Sequence, residues 1–103
     1  MSDAMNMRQG RSIAMNIATP TQVSVVSKDQ TLANARLVRV NVVVAGTTPG
    51  EVNDTGTGAA GAAAANVLTA IPNVLGPFLV DEPVQAGIFV TPGAGQVVTV
   101  TYD

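Results

Sequence analysis

Few residues of this chain are of a type that does chemistry. It has no His, no Cys and no Trp, and charged residues make up 12% of its 103 positions. Acid–base catalysis, thiolate metal sites and activated nucleophiles draw mainly on His, Cys or convergent carboxylates. Only scattered carboxylates and hydroxyls are left to consider. Glu51, Asn53 and Asp54 could offer oxygens to a hard cation such as Ca²⁺, which takes about six to eight of them. Their spacing is not that of an EF-hand loop, and an ordinary solvated turn accounts for them. Asp81 and Glu82 are adjacent carboxylates, whereas a glycosidase needs two that face each other across a substrate. Neighbours on a strand point to opposite faces, so this pair reads as a solvated strand end. Ser12, Ser24 and Ser27 have no His to act as a base, and Lys28, the only Lys, sits beside Ser27 on a polar strand end. The expectation is a protein that is not an enzyme, with no metal, no cofactor and no small-molecule substrate.

Other binding chemistries are equally thin. Gly56-Thr57-Gly58 and Gly93-Ala94-Gly95 are glycine-rich, but neither opens a strand–helix unit or carries the Lys-Ser/Thr that cradles phosphate. The net charge is −2 and the isoelectric point about 4.7. No basic stripe alternates with aromatics, so nucleic acid is not an expected partner. The longest strongly apolar run, Val42-Val43-Val44-Ala45, falls far short of the roughly 20 residues that span a bilayer. The first residues carry no apolar segment of a secretory signal. The expectation is a soluble product made in the cytoplasm, with no membrane partner.

The elements that would position these residues read as all-β. A chain of this length forms one domain with a single modest core. That core must be aliphatic, because the aromatics are only Phe78, Phe89 and Tyr102. Thr21 to Lys28 is rich in Val and Thr. Ala35 to Ala45 alternates, with Val38, Val40, Val42 and Val44 on one face and Arg39 and Asn41 on the other, as period 2 requires. It ends at Gly46-Thr47-Thr48-Pro49-Gly50, where Pro and then Gly suit a type II turn. Glu51 to Asp54, Asn66 to Ile71 and Phe78 to Asp81 follow as short strands. Gly87 to Thr91 and Gln96 to Tyr102 read as a hairpin across Pro92-Gly93-Ala94-Gly95, with Val98, Val100 and Tyr102 facing inward. Thr55 to Ala65, built from Thr, Gly and Ala, reads as a mobile loop with one helical turn over Ala62 to Asn66. Short strands separated by turn signals favour a small antiparallel β-sandwich or jelly roll over residues 21–103.

Residues 1–20 stand apart. All four Met residues fall there, with Arg8 and Arg11 and no period-2 pattern. The segment reads either as a flexible tail, where chain termini usually sit, or as an extended N-terminal arm that orders on a neighbouring subunit. Met5, Met7, Arg8, Arg11, Ile13 and Met15 are its candidate interface residues. Met15 is also a candidate translation start.

Charge is about half the usual complement of a soluble domain, and mean hydropathy is +0.33. Such a surface exposes apolar patches, which mark interfaces. A subunit of a larger assembly is expected. Ala35 to Ala45 and Gln96 to Tyr102 carry few charges to guard an edge, so they are either central or covered.

The order of these signatures resembles a known group. The residues that carry the likeness are Val42-Val43-Val44-Ala45-Gly46, Ile71-Pro72-Asn73 with Gly76, Pro83, Gly87-Ile88 and Pro92-Gly93-Ala94-Gly95-Gln96, before the Val/Thr strand ending at Tyr102. Over Val23 to Tyr102 the chain is similar to small virion proteins of tailed bacteriophages, particularly capsid decoration (cement) and related head-associated β-sandwich proteins. The resemblance implies a structural role on the capsid surface of the virion, as a homotrimer bound to the major capsid protein. It carries over no catalytic residues, and the arm lies outside it. Two other readings are a tail or head–tail connector component and a non-viral glycan-binding β-sandwich module. The last would present aromatic platforms to sugar faces, and this chain has few aromatics.

Overall fold

The structure is a computed structural model and describes residues 12–26 and 35–103. It is a sandwich of eight strands: β1 (Ser12–Ile17), β2 (Thr21–Val25), β3 (Arg36–Val44), β4 (Gly50–Asp54), β5 (Val67–Ile71), β6 (Gly76–Pro83), β7 (Gly87–Thr91) and β8 (Val97–Tyr102). They form two four-stranded sheets, ordered β1-β8-β3-β6 and β2-β7-β4-β5, and every pairing is antiparallel.

The pairings show how the chain is laid down. β1 pairs with β8, β2 with β7, β3 with β6 and β4 with β5, so the chain is one long antiparallel ribbon folded back at the β4–β5 connection. Rolling that ribbon adds the contacts of β3 with β8 and of β4 with β7, which close each sheet. An eight-stranded double sheet rolled in this way is a jelly roll, and the expected β-sandwich class is observed.

The core lies between the sheets. Leu37, Val40 and Val42 of β3, Val52 of β4, Ile71 of β5, Ile88 and Val90 of β7 and Val98 and Val100 of β8 meet Ile17 and Val84 there. Val98 and Val100 face inward as the alternation of β8 requires, and Tyr102 packs partly against them. Each fully buried aliphatic side chain is worth about 1.5–3 kcal/mol, so a core with no disulfide and few rings is sufficient for a domain of this size.

Four sequence expectations need correction. β7 and β8 are not a hairpin: they lie in different sheets, β7 between β2 and β4, and β8 between β1 and β3. Both edges of each strand are already taken, so Pro92 to Gly95 carries the chain from one sheet to the other. Of the expected inward set of β3, Val40 and Val42 join Leu37 in the core cluster and Val38 is buried outside that cluster, whereas Val44 is exposed. A register shift between Val42 and Val44 rotates Val44 out of phase. Gly50 does not take the positive φ of a type II turn; it opens β4, where an added Cβ would come within 2.5 Å of the Thr91 carbonyl oxygen.

The fourth correction concerns the arm. Ser12–Ile17, placed in an arm of residues 1–20, is strand β1 of the sandwich, paired along β8. Ala14 pairs with Val100 and Ile17 with Val98, so β1 uses three steps where β8 uses two. The extra residue falls at Met15-Asn16, and Asn16 takes a left-handed φ of 58°. This bulge turns both Ala14 and Ile17 toward the core and hides the period-2 signal from a sequence scan.

The same device recurs on every sheet edge. Gln22 and Ser24 of β2 face Phe89 and Ile88, Thr69 and Val67 of β5 face Val52 and Asn53, and Glu82 and Leu79 of β6 face Leu37 and Arg39. In each case the additional residue is on the outer strand. On β6 it lies by Asp81, whose φ is 52° and whose carboxylate and carbonyl accept hydrogen bonds from Arg36 at 3.0 and 2.9 Å. Bulged edges twist away from a straight ladder, which discourages pairing with another chain. The charge-poor strands β3 and β8 are central in their sheet.

Candidate functional site

The two outer faces of the sandwich differ, and the difference starts with polar side chains on β2 and β4. Gln22, Phe89 and Asn53 are successive cross-strand neighbours on the outside of the β2-β7-β4-β5 sheet. The β4–β5 connection, residues 55–66, folds across them. Asn53 is fully buried, and its Nδ2 donates to the Ala63 carbonyl at 3.1 Å and to Asn66 Oδ1 at 2.9 Å. Asn66 Nδ2 donates to the Gly61 carbonyl, and Asn66 Oδ1 accepts from the Ala63 N–H. Gln22 Nε2 donates to the carbonyls of Thr55 (2.7 Å) and Ser24 (2.8 Å), while its Oε1 accepts the Gly58 N–H at 2.8 Å. A neutral carboxamide both donates and accepts, so it can be buried in such a hub without carrying a charge out of water.

The connection expected to be a loop is therefore a strap. It contains two 3₁₀ turns, Gly58–Gly61 and Ala64–Asn66, and it covers Phe89. Gly61 rests on the hydroxyls of Thr55 and Thr57, where a Cβ would collide with both. The Thr-Gly-Ala composition that argues for a loop is the composition that lies flat on a sheet.

The candidate catalytic and metal-binding groups have structural partners. Asp54 Oδ1 accepts the backbone N–H groups of Gln85, Ala86 and Gly87, with Ala86 closest at 2.7 Å, and Oδ2 accepts Gln85 as well. Three successive N–H groups form a nest around the carboxylate and hold the β6–β7 turn against the end of β4. Asn53 belongs to the strap and Glu51 is half-buried on β4, so this trio is dispersed. Among the described residues no group of three or more carboxylates comes together. Asp81 is paired with Arg36 rather than with Glu82. Gln96, which no motif marks, is fully buried. It accepts the Gly93 N–H at 2.9 Å and donates to the Pro72 carbonyl at 2.9 Å, joining two crossings between the sheets.

Two surface hollows accompany these contacts. One of about 400 Å³ lies between Asp54, Asn66, Leu68 and Gln85. The other, of about 420 Å³, lies between Pro49, Glu51, Ala70 and Pro92. Each contains one carboxylate, and that of the first is engaged by the turn N–H groups.

Among the described residues, none folds across the outside of the β1-β8-β3-β6 sheet, although Thr101 in its central row is itself buried. Ile13, Thr101, Arg39 and Leu79 are successive neighbours across all four strands. Ile13 is 60% exposed, Leu79 76%, and Met15, on the β1 bulge, 66%. Thr99, Asn41 and Pro77 form the next row. Val43, Val74 and Leu75 are exposed as well. Among the described residues Arg39 makes neither an ion pair nor a side-chain hydrogen bond. Of the six candidate interface residues, the structure places Ile13 and Met15, both exposed on β1. Met5, Met7, Arg8 and Arg11 lie outside the described residues.

Comparison with protein-family models, with curated proteins and with solved structures finds no match to this chain.

Proposed function

We propose that this chain is a structural virion protein. It acts as a capsid decoration (cement) protein, a homotrimer on the outside of a bacteriophage shell that bridges copies of the major capsid protein. The observation that carries this reading is the use made of its polar groups. The side chains able to recognise a small ligand, Gln22, Asn53, Asp54, Asn66 and Gln96, hold strands, turns and the strap together. Large aliphatic side chains stand in solvent instead. A protein built this way works through contact area.

Jelly rolls occur in viral capsid proteins, and also in lectins and cupins, so topology alone does not choose. A glycan-binding module stacks exposed rings on sugars, whereas Phe89 is buried under the strap and Phe78 and Tyr102 are half-buried against the core. A decoration protein needs no catalytic group and no cofactor. Many weak symmetric contacts act together on a shell, because each further contact forms at a high effective concentration.

Two measurements test the reading. Light scattering after size exclusion gives the native mass, expected to be that of a trimer. Titration of the purified chain onto emptied shells of the phage that encodes it is expected to saturate at a fixed ratio to the shell protein. Particles that take up none of it rule the reading out.

A further inference from the structure

Building on that reading, we infer that the outer face of the β1-β8-β3-β6 sheet is the docking surface. Its partner is a shell-protein surface that presents a carboxylate among aliphatic side chains. Three features select this face. The middle of the opposite face, the row of Gln22, Phe89 and Asn53, is covered by the chain's own strap, pinned at Gln22 and Asn53. All four sheet edges are bulged on the outer strand, which disfavours docking by strand addition. The open face carries Ile13, Met15 and Leu79, exposed at the two outer strands, with Arg39 on an inner strand between them.

Arg39 specifies the chemistry of the occupant. Covering this face with a purely apolar surface would strip water from an unpaired guanidinium, which is strongly unfavourable. A carboxylate removes that penalty, because the planar fork of Arg donates two parallel hydrogen bonds to it. Aliphatic side chains around that carboxylate would rest on Ile13, Met15 and Leu79. A second copy docked face to face about a two-fold axis fits poorly, because the axis would bring the two Arg39 side chains toward each other. Nucleic acid fits poorly too, since one unpaired cation on this face and a net charge of −2 supply little of the charge that phosphate contacts need.

The probe is the emptied phage shell stripped of this protein, and the readout is co-sedimentation of the full chain. Arg39→Glu and Leu79→Glu lie on exposed positions, so both are expected to fold, as checked by circular dichroism and thermal melting. Each is expected to bind the shell at least about tenfold more weakly than wild type, the size of effect typical for a central interface residue. Arg39→Lys keeps the charge without the fork and is expected to fall between. Ala60→Glu, on the strap of the other face, is expected to bind as wild type does. Wild-type binding matched by Arg39→Glu and Leu79→Glu overturns the docking face and leaves the decoration reading intact. A wild-type chain that does not bind overturns both.

Discussion

Asn53 and Asn66 are joined by a 2.9 Å hydrogen bond from one carboxamide to the other, and that bond fixes the last turn of the strap to the sheet beneath. Asn53 is the hub on β4; Asn66 closes the last 3₁₀ turn before β5. Removing either amide leaves buried donors and acceptors without partners, which costs about 1–3 kcal/mol. Asn53→Ala and Asn66→Ala are expected to lower the unfolding free energy by that amount, seen as a lower urea midpoint at unchanged slope. Asn53→Asp is expected to be at least as damaging, because it replaces the donor facing Asn66 Oδ1 with an acceptor. Unchanged midpoints in all three would show that the strap contributes nothing to stability.

The carboxylate of Asp54 makes a different prediction. It accepts three consecutive backbone N–H groups of the β6–β7 turn, and hydrogen bonds to a charged acceptor are the stronger kind. Asp54→Ala is expected to destabilise the fold by about 1.5–3 kcal/mol. Amide hydrogen exchange should accelerate first at Gln85, Ala86 and Gly87. Exchange at those three amides unchanged from wild type would contradict the assignment.

At Gly93 the constraint is steric. A Cβ there would overlap the carbonyl oxygen of Thr48, a backbone atom that cannot rotate away. Gly93→Ala is expected to cost about 1–3 kcal/mol through forced backbone shifts. The exposed neighbour Ala94→Ser is expected to stay within about 0.5 kcal/mol of wild type. Equal melting temperatures for the two variants would refute the close packing of the 46–49 and 92–95 crossings.

β1 sets where the N-terminus can be cut. A chain beginning at Ser12 keeps the whole strand, and its melting temperature is expected to match that of the full chain. A chain beginning at Met15 loses Ser12, Ile13 and Ala14, the partners of Tyr102, Thr101 and Val100. It uncovers part of β8, a strand without a guarding charge, and is expected to melt lower and to aggregate. Any test of the preceding residues in shell binding should therefore stop its deletion at residue 11. Equal solubility and melting of the two truncated forms would argue against β1 as part of the sandwich.

Regular alternation made part of this fold legible. β8 reads directly from Val98 and Val100, and the inward Val40 and Val42 of β3 from their spacing. What stayed hidden was mostly bulged or long-range. A bulge at Met15-Asn16 cancels the alternation that would reveal β1, and another displaces Val44 from the expected face. The Pro-Gly-Ala-Gly turn before β8 has the local chemistry of a hairpin, and Gly95 does take a φ of +76°. Which sheet the next strand joins is decided by edges already occupied, and no local window contains that information. The strap was not legible because Gly56, Gly58 and Gly61 interrupt the helical preference of the Ala residues around them, leaving no period of either kind. Its anchors at Gln22 and Asn53 are isolated carboxamides with no motif. The open face was only half visible, since Ile13 and Met15 could be named but their neighbours Arg39 and Leu79 are brought beside them by the roll.

The decoration reading stands most directly on how many copies of this chain a particle holds. On that reading the chain is encoded by a phage, and quantitative mass spectrometry of its purified virions, with the shell protein as internal reference, measures that number. The account predicts a copy number of the same order as the shell protein. Its absence from the particle, or a handful of copies as a tail or connector component would show, would contradict it.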